Sequence, residues 1–177
     1  MTTSPNAVLA KWNELDGEAA AREVLPCCGS RGWASGLAAR RPFADARQAV
    51  EASDQVWAAL AEDDWREAFD SHPRIGQQHA RAATAESLAM SSQEQSAAMS
   101  TPSEDATNLA LAEGNRQYED RFGRIFIVCA AGKSAAEILS ILNARMNNTV
   151  ATEWREAAEQ QRQITQLRLR RWLGVND

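Results

Sequence analysis

A chain of 177 residues, with 44% hydrophobic and 24% charged side chains, has the length of one domain and the composition of an ordinary globular core. Its net charge of −5, from 19 basic and 24 acidic residues, gives no clustered positive face for a nucleic acid, and no apolar run approaches a membrane span. Three cysteines (Cys27, Cys28, Cys129) and two histidines (His72, His79) supply neither a disulfide framework nor zinc-ligand spacing; they fit a reducing compartment, and the expectation is a cytoplasmic protein.

Apolar residues recur at helical spacing from the start. Val8, Leu9, Trp12 and Leu15 predict a short amphipathic helix after Ser4-Pro5, interrupted at Asp16-Gly17. A second helix is expected over 18–25 and closed by Pro26. A third runs from Ser30 or Arg31 to Arg40, ending before Pro42 because a residue preceding proline avoids the α region. Residues 45–60 place Ala46, Ala49, Val50, Ser53, Val56 or Trp57, and Leu60 on one stripe, and 62–71 follow with Trp65, Ala68 and Phe69 inward until His72-Pro73 stops the helix. The stretch 73–90 reads as loop or weak helix. Ser91 and Glu94 match a capping box that starts the next helix. A long helix over 103–122 ends at Gly123, with Leu109 and Leu111 among its apolar positions.

Ile125 to Ala130 is the one strand-like run; with no partner strand in the chain, it is expected to cross the core as an extended segment. Ser134 and Glu137 form a second capping box for a helix reaching about Met146, which Asn147-Asn148-Thr149 breaks. The last helix, about 150–173, is expected to bury Val150, Trp154, Ala157, Ala158, Ile164 and Leu167, with Arg168, Arg170 and Arg171 answering the dipole at its C-terminal end. No repeat or linker divides the sequence. The expectation is an all-α, single-domain compact bundle of about eight helices over residues 1–177.

Two places exceed helix, cap and core. His72 is a proton-transfer side chain held at a helix end by the fixed φ of Pro73, although a C-terminal histidine answering the helix dipole explains it as well. Ser91, Glu94 and Gln95 put a hydroxyl, an acid and an amide at an expected helix N-terminus, where free N–H groups favour anionic ligands. Gly132-Lys133-Ser134 looks like the end of a phosphate-binding loop, but Ile127 stands where that motif needs glycine.

With those residues in view, the sequence resembles the OHCU decarboxylases (2-oxo-4-hydroxy-4-carboxy-5-ureidoimidazoline decarboxylases of urate degradation). The motifs fall in order: Arg41-Pro42-Phe43, His72-Pro73-Arg74-Ile75-Gly76, Ser91-x-x-Glu94-Gln95, Asn115-x-x-Tyr118, Phe126 to Ala130, and Ile164-x-x-Leu167-Arg168-Leu169. The resemblance implies an all-α homodimer that uses no metal and no organic cofactor. It implies that His72 is the catalytic histidine with Glu94 its acidic partner, that Pro73, Ser91 and Gln95 line the substrate pocket, and that Ile127, Val128 and Ala130 add contacts. Many relatives carry an arginine after Cys-Ala; Ala131 stands there in this chain, so the expected replacement for the guanidinium is Lys133 or a backbone N–H.

Decarboxylation needs an electron sink, and the C=N bond beside the reacting carbon of this substrate supplies one. The protein is left to orient the ring and manage protons, with His72, oriented by Glu94, handling the hydroxyl proton. The implied product is (S)-allantoin, and the implied partner is the small-molecule substrate, with neither nucleic acid nor membrane. The alternative is a non-catalytic helical interaction module, which six tryptophans and amphipathic helices would also suit but which gives no reason for the His72 and Glu94 motifs.

Overall fold

Polar side chains just ahead of the apolar stripes decide where most helices begin. In the computed structural model, which describes residues 6–75, 85–96 and 105–175 (side chains of 85–87, 95–96 and 105 excepted), the described residues form nine helices and no strand. Asn6, Asp16, Ser30 and Asp45 each accept a backbone N–H three residues on, and so start α1 (Ala7–Glu14), α2 (Gly17–Cys28), α3 (Arg31–Ala38) and α4 (Ala46–Ala58). They are followed by α5 (Glu62–Asp70), α6 (Ala85–Ser96), α7 (Asp105–Phe122), α8 (Ala135–Arg145) and α9 (Val150–Trp172). The expected all-α architecture holds among the described residues.

The chain divides into two compact units, Met1–Ala68 with Arg162–Asp177, and Phe69–Gln161. In the first, Trp12 is buried, stacks on Phe43 at 5.8 Å and meets the edge of Trp172 at 5.4 Å. The Arg-Pro-Phe motif has a structural task here. Arg41 lies over the Trp12 ring and donates to the carbonyls of Trp12 and Leu15, closing the end of α1, while Phe43 enters the core behind the cis Arg41–Pro42 bond. Gly36 lets α3 approach α4, since a Cβ there would lie 2.9 Å from Val56 Cγ1.

Expectations at four residues of the two units are corrected. Pro26 does not end α2: the helix runs on to Cys28 and stops where Gly29 takes φ 87°, a left-handed conformation that glycine adopts without a Cβ clash. Beyond the proline, Cys27 and Cys28 are buried one turn from the buried Val24, which anchors this last turn in the core. Arg168 is not a solvated dipole partner but 1% exposed, its guanidinium reaching toward the Pro26 carbonyl at 3.5 Å. Val150 and Leu109 face water instead of the core, because each sits on the outer side of its helix.

In the second unit, α7 and α8 carry the core: Leu111, Tyr118 and Phe122 from one, Ala135, Ile138 and Leu142 from the other, closed by Phe126, Val128 and Ala130. Gly114 is the point of closest approach, where a Cβ would come within 2.9 Å of Leu142 Cδ2. Gly123 ends α7 at φ 70°, and residues 125–130 then cross the core without pairing to any strand, as expected from sequence.

Candidate active site

His72 follows directly on α5. Its N–H bonds the Phe69 carbonyl at 3.1 Å, and Pro73, which has no N–H to give, prevents a further turn. Ser71, His72 and Pro73 are all buried. The His72 ring places Nε2 2.8 Å from Oε1 of Gln161, a side chain of α9 with no solvent exposure. The following residue, Arg74, forms a two-pronged bond to Glu119 of α7 (2.5 and 2.7 Å), which raises its pKa further, and Ile75 packs on the α7–α8 core. The histidine is thus fixed on both sides.

The segment 127–130 is held in another way. Its backbone groups have no sheet ladder, so side chains must satisfy them. Arg145 Nη1 donates to the Ile127 carbonyl at 2.6 Å, and the Cys129 N–H donates to Gln160 Oε1 at 2.9 Å. The Lys133 ammonium folds back onto the Cys129 carbonyl at 2.8 Å, and Lys133 itself is half-buried. Ser134 and Glu137 make the expected capping box at the start of α8, and the Ser134 bonds hold the Glu137 carboxyl below its ordinary pKa.

Behind that segment lies a buried ionic network. Glu153, with no exposure, accepts from Arg145 Nε (2.9 Å) and Nη2 (2.5 Å), from Asn148 Nδ2 (2.8 Å) and from the Tyr118 hydroxyl. Burial first, then the Glu153 carboxylate, pushes the Tyr118 pKa up, so the phenol stays a donor.

Ser91 and Glu94 share one face of α6, Ser91 buried and Glu94 half-buried, while the Gln95 side chain lies outside the described residues. The expected start of a helix at Ser91 is corrected: α6 begins at Ala85, so Ser91 is interior and offers no free helix N-terminus. The run from Ala85 to Met90 is made largely of good helix formers and carries the helix through the cap-like pattern. Two further residues were not signalled by sequence. Gln160 and Gln161, adjacent on α9, tie the Cys129 backbone and the His72 ring to one turn of helix. Among the described residues, no group of three His, Cys, Asp or Glu is arranged to hold a metal ion.

The family model for OHCU decarboxylase matches residues 13–170. The chain belongs to the OHCU decarboxylase family. A crystal structure of OHCU decarboxylase in the presence of (S)-allantoin aligns with a TM-score of 0.74 and 33% identity, covering 86% of this chain and 97% of that one. A crystal structure of (S)-allantoin synthase shares the fold at 18% identity and a TM-score of 0.67, over 93% of this chain and 53% of the other. Among curated relatives, the uric acid degradation bifunctional protein TTL of Arabidopsis thaliana is 36% identical over 143 residues, 81% of this chain. The 2-oxo-4-hydroxy-4-carboxy-5-ureidoimidazoline decarboxylase of Amia calva is 44% identical over 55 residues, 31% of this chain. The matches span 44% and 31% of the lengths of those two relatives. His72-Pro73 and Ser91-x-x-Glu94-Gln95 lie within the matched residues.

Proposed function

We propose that this chain decarboxylates 2-oxo-4-hydroxy-4-carboxy-5-ureidoimidazoline to (S)-allantoin, a step of urate breakdown, and that residues 1–177 act as one domain in doing so. The observation that carries the reading is the fold match, at 33% identity over 86% of the chain, to an OHCU decarboxylase crystallised with that enantiomer of allantoin. In this reading His72 takes the proton of the hydroxyl on the reacting carbon, and Glu94 is its acidic partner in the pocket. As the C–CO2 bond breaks, its electron pair moves into the adjacent C=N system, CO2 departs, and the enol-like product is protonated on one face. Neither a metal nor an organic cofactor enters the scheme, because the substrate is its own electron sink.

Pro73, Ser91 and Gln95 line the pocket, and the backbone of Ile127, Val128 and Ala130 forms a wall. The buried setting of His72, Pro73, Ser91, Ile127, Val128 and Ala130 suits a water-poor site in which hydrogen bonds to an anionic ring are strengthened. Lys133 supplies positive charge where Ala131 replaces the family arginine; its ammonium already sits against the Cys129 carbonyl of the same wall. A helical interaction module is disfavoured by the exposed large apolar side chains, which among the described residues are Val8, Leu109 and Val150, on three different helices. The reading extends to a homodimer working in the cytoplasm. The buried thiols of Cys27 and Cys28 suit a reducing compartment, and light scattering on the purified protein tests the dimer.

The deciding experiment follows circular dichroism of allantoin when the purified protein is added to urate oxidase and hydroxyisourate hydrolase acting on urate. Rapid accumulation of one enantiomer, abolished in a folded His72→Ala variant, is the expected result. Slow racemic product unaffected by the protein refutes the activity, and near-normal turnover in His72→Ala refutes the role of the histidine.

A further inference from the structure

Gln160, on α9, has both ends of its amide engaged. Its Nε2 donates to Glu156 Oε1 at 3.0 Å, one turn back on the same helix, and its Oε1 accepts from the Cys129 N–H at 2.9 Å. These two partners decide which way round the amide sits. A carboxylate offers only lone pairs and a backbone N–H only a proton, so a flipped amide would face like with like at both ends. We infer that Gln160 is a positioning residue for the reaction: aimed by Glu156, its oxygen sets the Cys129 peptide and through it the wall of residues 127–130. The inference rests on the reading of that segment as a wall of the substrate pocket, and it adds the side-chain pair that sets the wall in place.

The same construction recurs about two turns earlier on α9. Glu153 shares a helix face with Gln160, and its carboxylate aims Arg145, whose Nη1 donates to the Ile127 carbonyl at 2.6 Å. An acid of α9 thus aims one side chain at each of two wall residues, a donor for the carbonyl and an acceptor for the N–H. In an extended run, alternate residues present their polar groups on the same edge. Ile127 and Cys129 are therefore held along one edge, and the other edge, with the groups of Val128, is the one the functional reading gives to the substrate ring. The two relays differ in burial. Glu153 has no exposure, so stability goes with its relay, whereas Gln160 and Glu156 are half-buried and can be altered with the core in place. Cys129 has contacts besides this one, its carbonyl taking the Lys133 ammonium; what Gln160 contributes is the setting of the N–H.

The test pairs a local probe with kinetics on the intact protein. Cys129 is the one cysteine preceded by valine, so ¹³C-carbonyl valine and ¹⁵N-cysteine labelling marks its amide alone. In Gln160→Met that amide is expected to exchange its proton with water about tenfold faster. KM in the coupled urate system is expected to rise about five- to thirty-fold, the loss of one partly buried hydrogen bond. The change in kcat is expected to be far smaller, because the wall meets the ring in substrate and transition state alike. The swapped pair, Glu156→Gln with Gln160→Glu, keeps the net charge and again sets an oxygen against the Cys129 N–H, and it is expected to bring both readings back to within about threefold of the parent. A parent-like KM in folded Gln160→Met overturns the inference even where the amide exchanges faster, as does a swapped pair that folds and recovers neither reading. Should one variant not fold, the other decides alone. A parent protein with a slowly exchanging Cys129 amide but no stereoselective allantoin formation overturns the functional reading and leaves the hold on the wall standing.

Discussion

Replacing Arg145 with methionine tests how the wall of the site is built. Methionine keeps most of the stem that packs beneath Phe126, whose ring centre is 4.7 Å from the guanidinium carbon, and removes the charge alone. Two losses follow. Glu153, with no exposure, keeps only Tyr118 and Asn148 as donors, and breaking a buried ion pair by removing one partner costs about 3–5 kcal/mol. The Ile127 carbonyl also loses its donor, which by itself costs about 1–3 kcal/mol if no other group reaches it. These losses share one side chain and do not add fully, so the expected destabilisation is about 4 kcal/mol. For a chain of this length that lowers the melting temperature by about 10 °C. Urea titrations of Arg145→Met, Glu153→Gln and the double variant complete a cycle, in which the double variant is expected to be more stable than Arg145→Met alone, because the uncompensated carboxylate is gone. An Arg145→Met protein within about 1 kcal/mol of the parent, with no coupling in the cycle, would refute the claim that this pair holds the segment.

Other substitutions separate packing from chemistry. Gly114→Val drives a branched side chain into Leu142 and is expected to cost about 1–3 kcal/mol in urea denaturation, while far-UV circular dichroism stays helical. Cys28, whose thiol burial pushes its pKa up to about 12 from 9.0, stays protonated in the fold while the unfolded chain ionises; its contribution is intact below pH 9 and falls as pH rises toward 12. Cys28→Ala should therefore flatten the alkaline limb of the stability profile in thermal melts taken across that range, and an unchanged limb would argue against it. Lys133→Met should lower kcat/KM by about ten- to a hundred-fold, the loss of one charged hydrogen bond, if its ammonium supplies the pocket's positive charge, and steady-state kinetics on the coupled urate system measure it.

What the sequence made legible was local. The cap at Ser134 was readable because donor and acceptor lie three residues apart, and the stop at His72-Pro73 because proline acts on its own neighbour. The same local spelling misled at Ser91 and Glu94, where helix-forming residues upstream had already begun α6. Pro26 misled likewise, because a helix anchored by buried Cys27 and Cys28 tolerates one missing bond. The motif residues of the proposed site were visible in the sequence, whereas the groups that hold them were not. Gln161 meets His72 across 89 positions and Gln160 meets Cys129 across 31, and glutamine carries no spacing rule that could announce either bond. Arg168 was misread for a similar reason: an arginine near a helix end looks solvated until the tertiary fold closes over it.

The extended passage at 125–130 has a consequence for how such a site can change over generations. A strand in a sheet shares its hydrogen bonds with a whole neighbouring strand, so altering one position risks the register of all. Here the Ile127 carbonyl and the Cys129 N–H are each gripped by a separate side chain, Arg145 and Gln160, and the Cys129 carbonyl by a third, Lys133. Each grip is spelled by its own codon. The wall can be nudged, loosened or re-charged by one substitution at a time while the surrounding helices keep their packing.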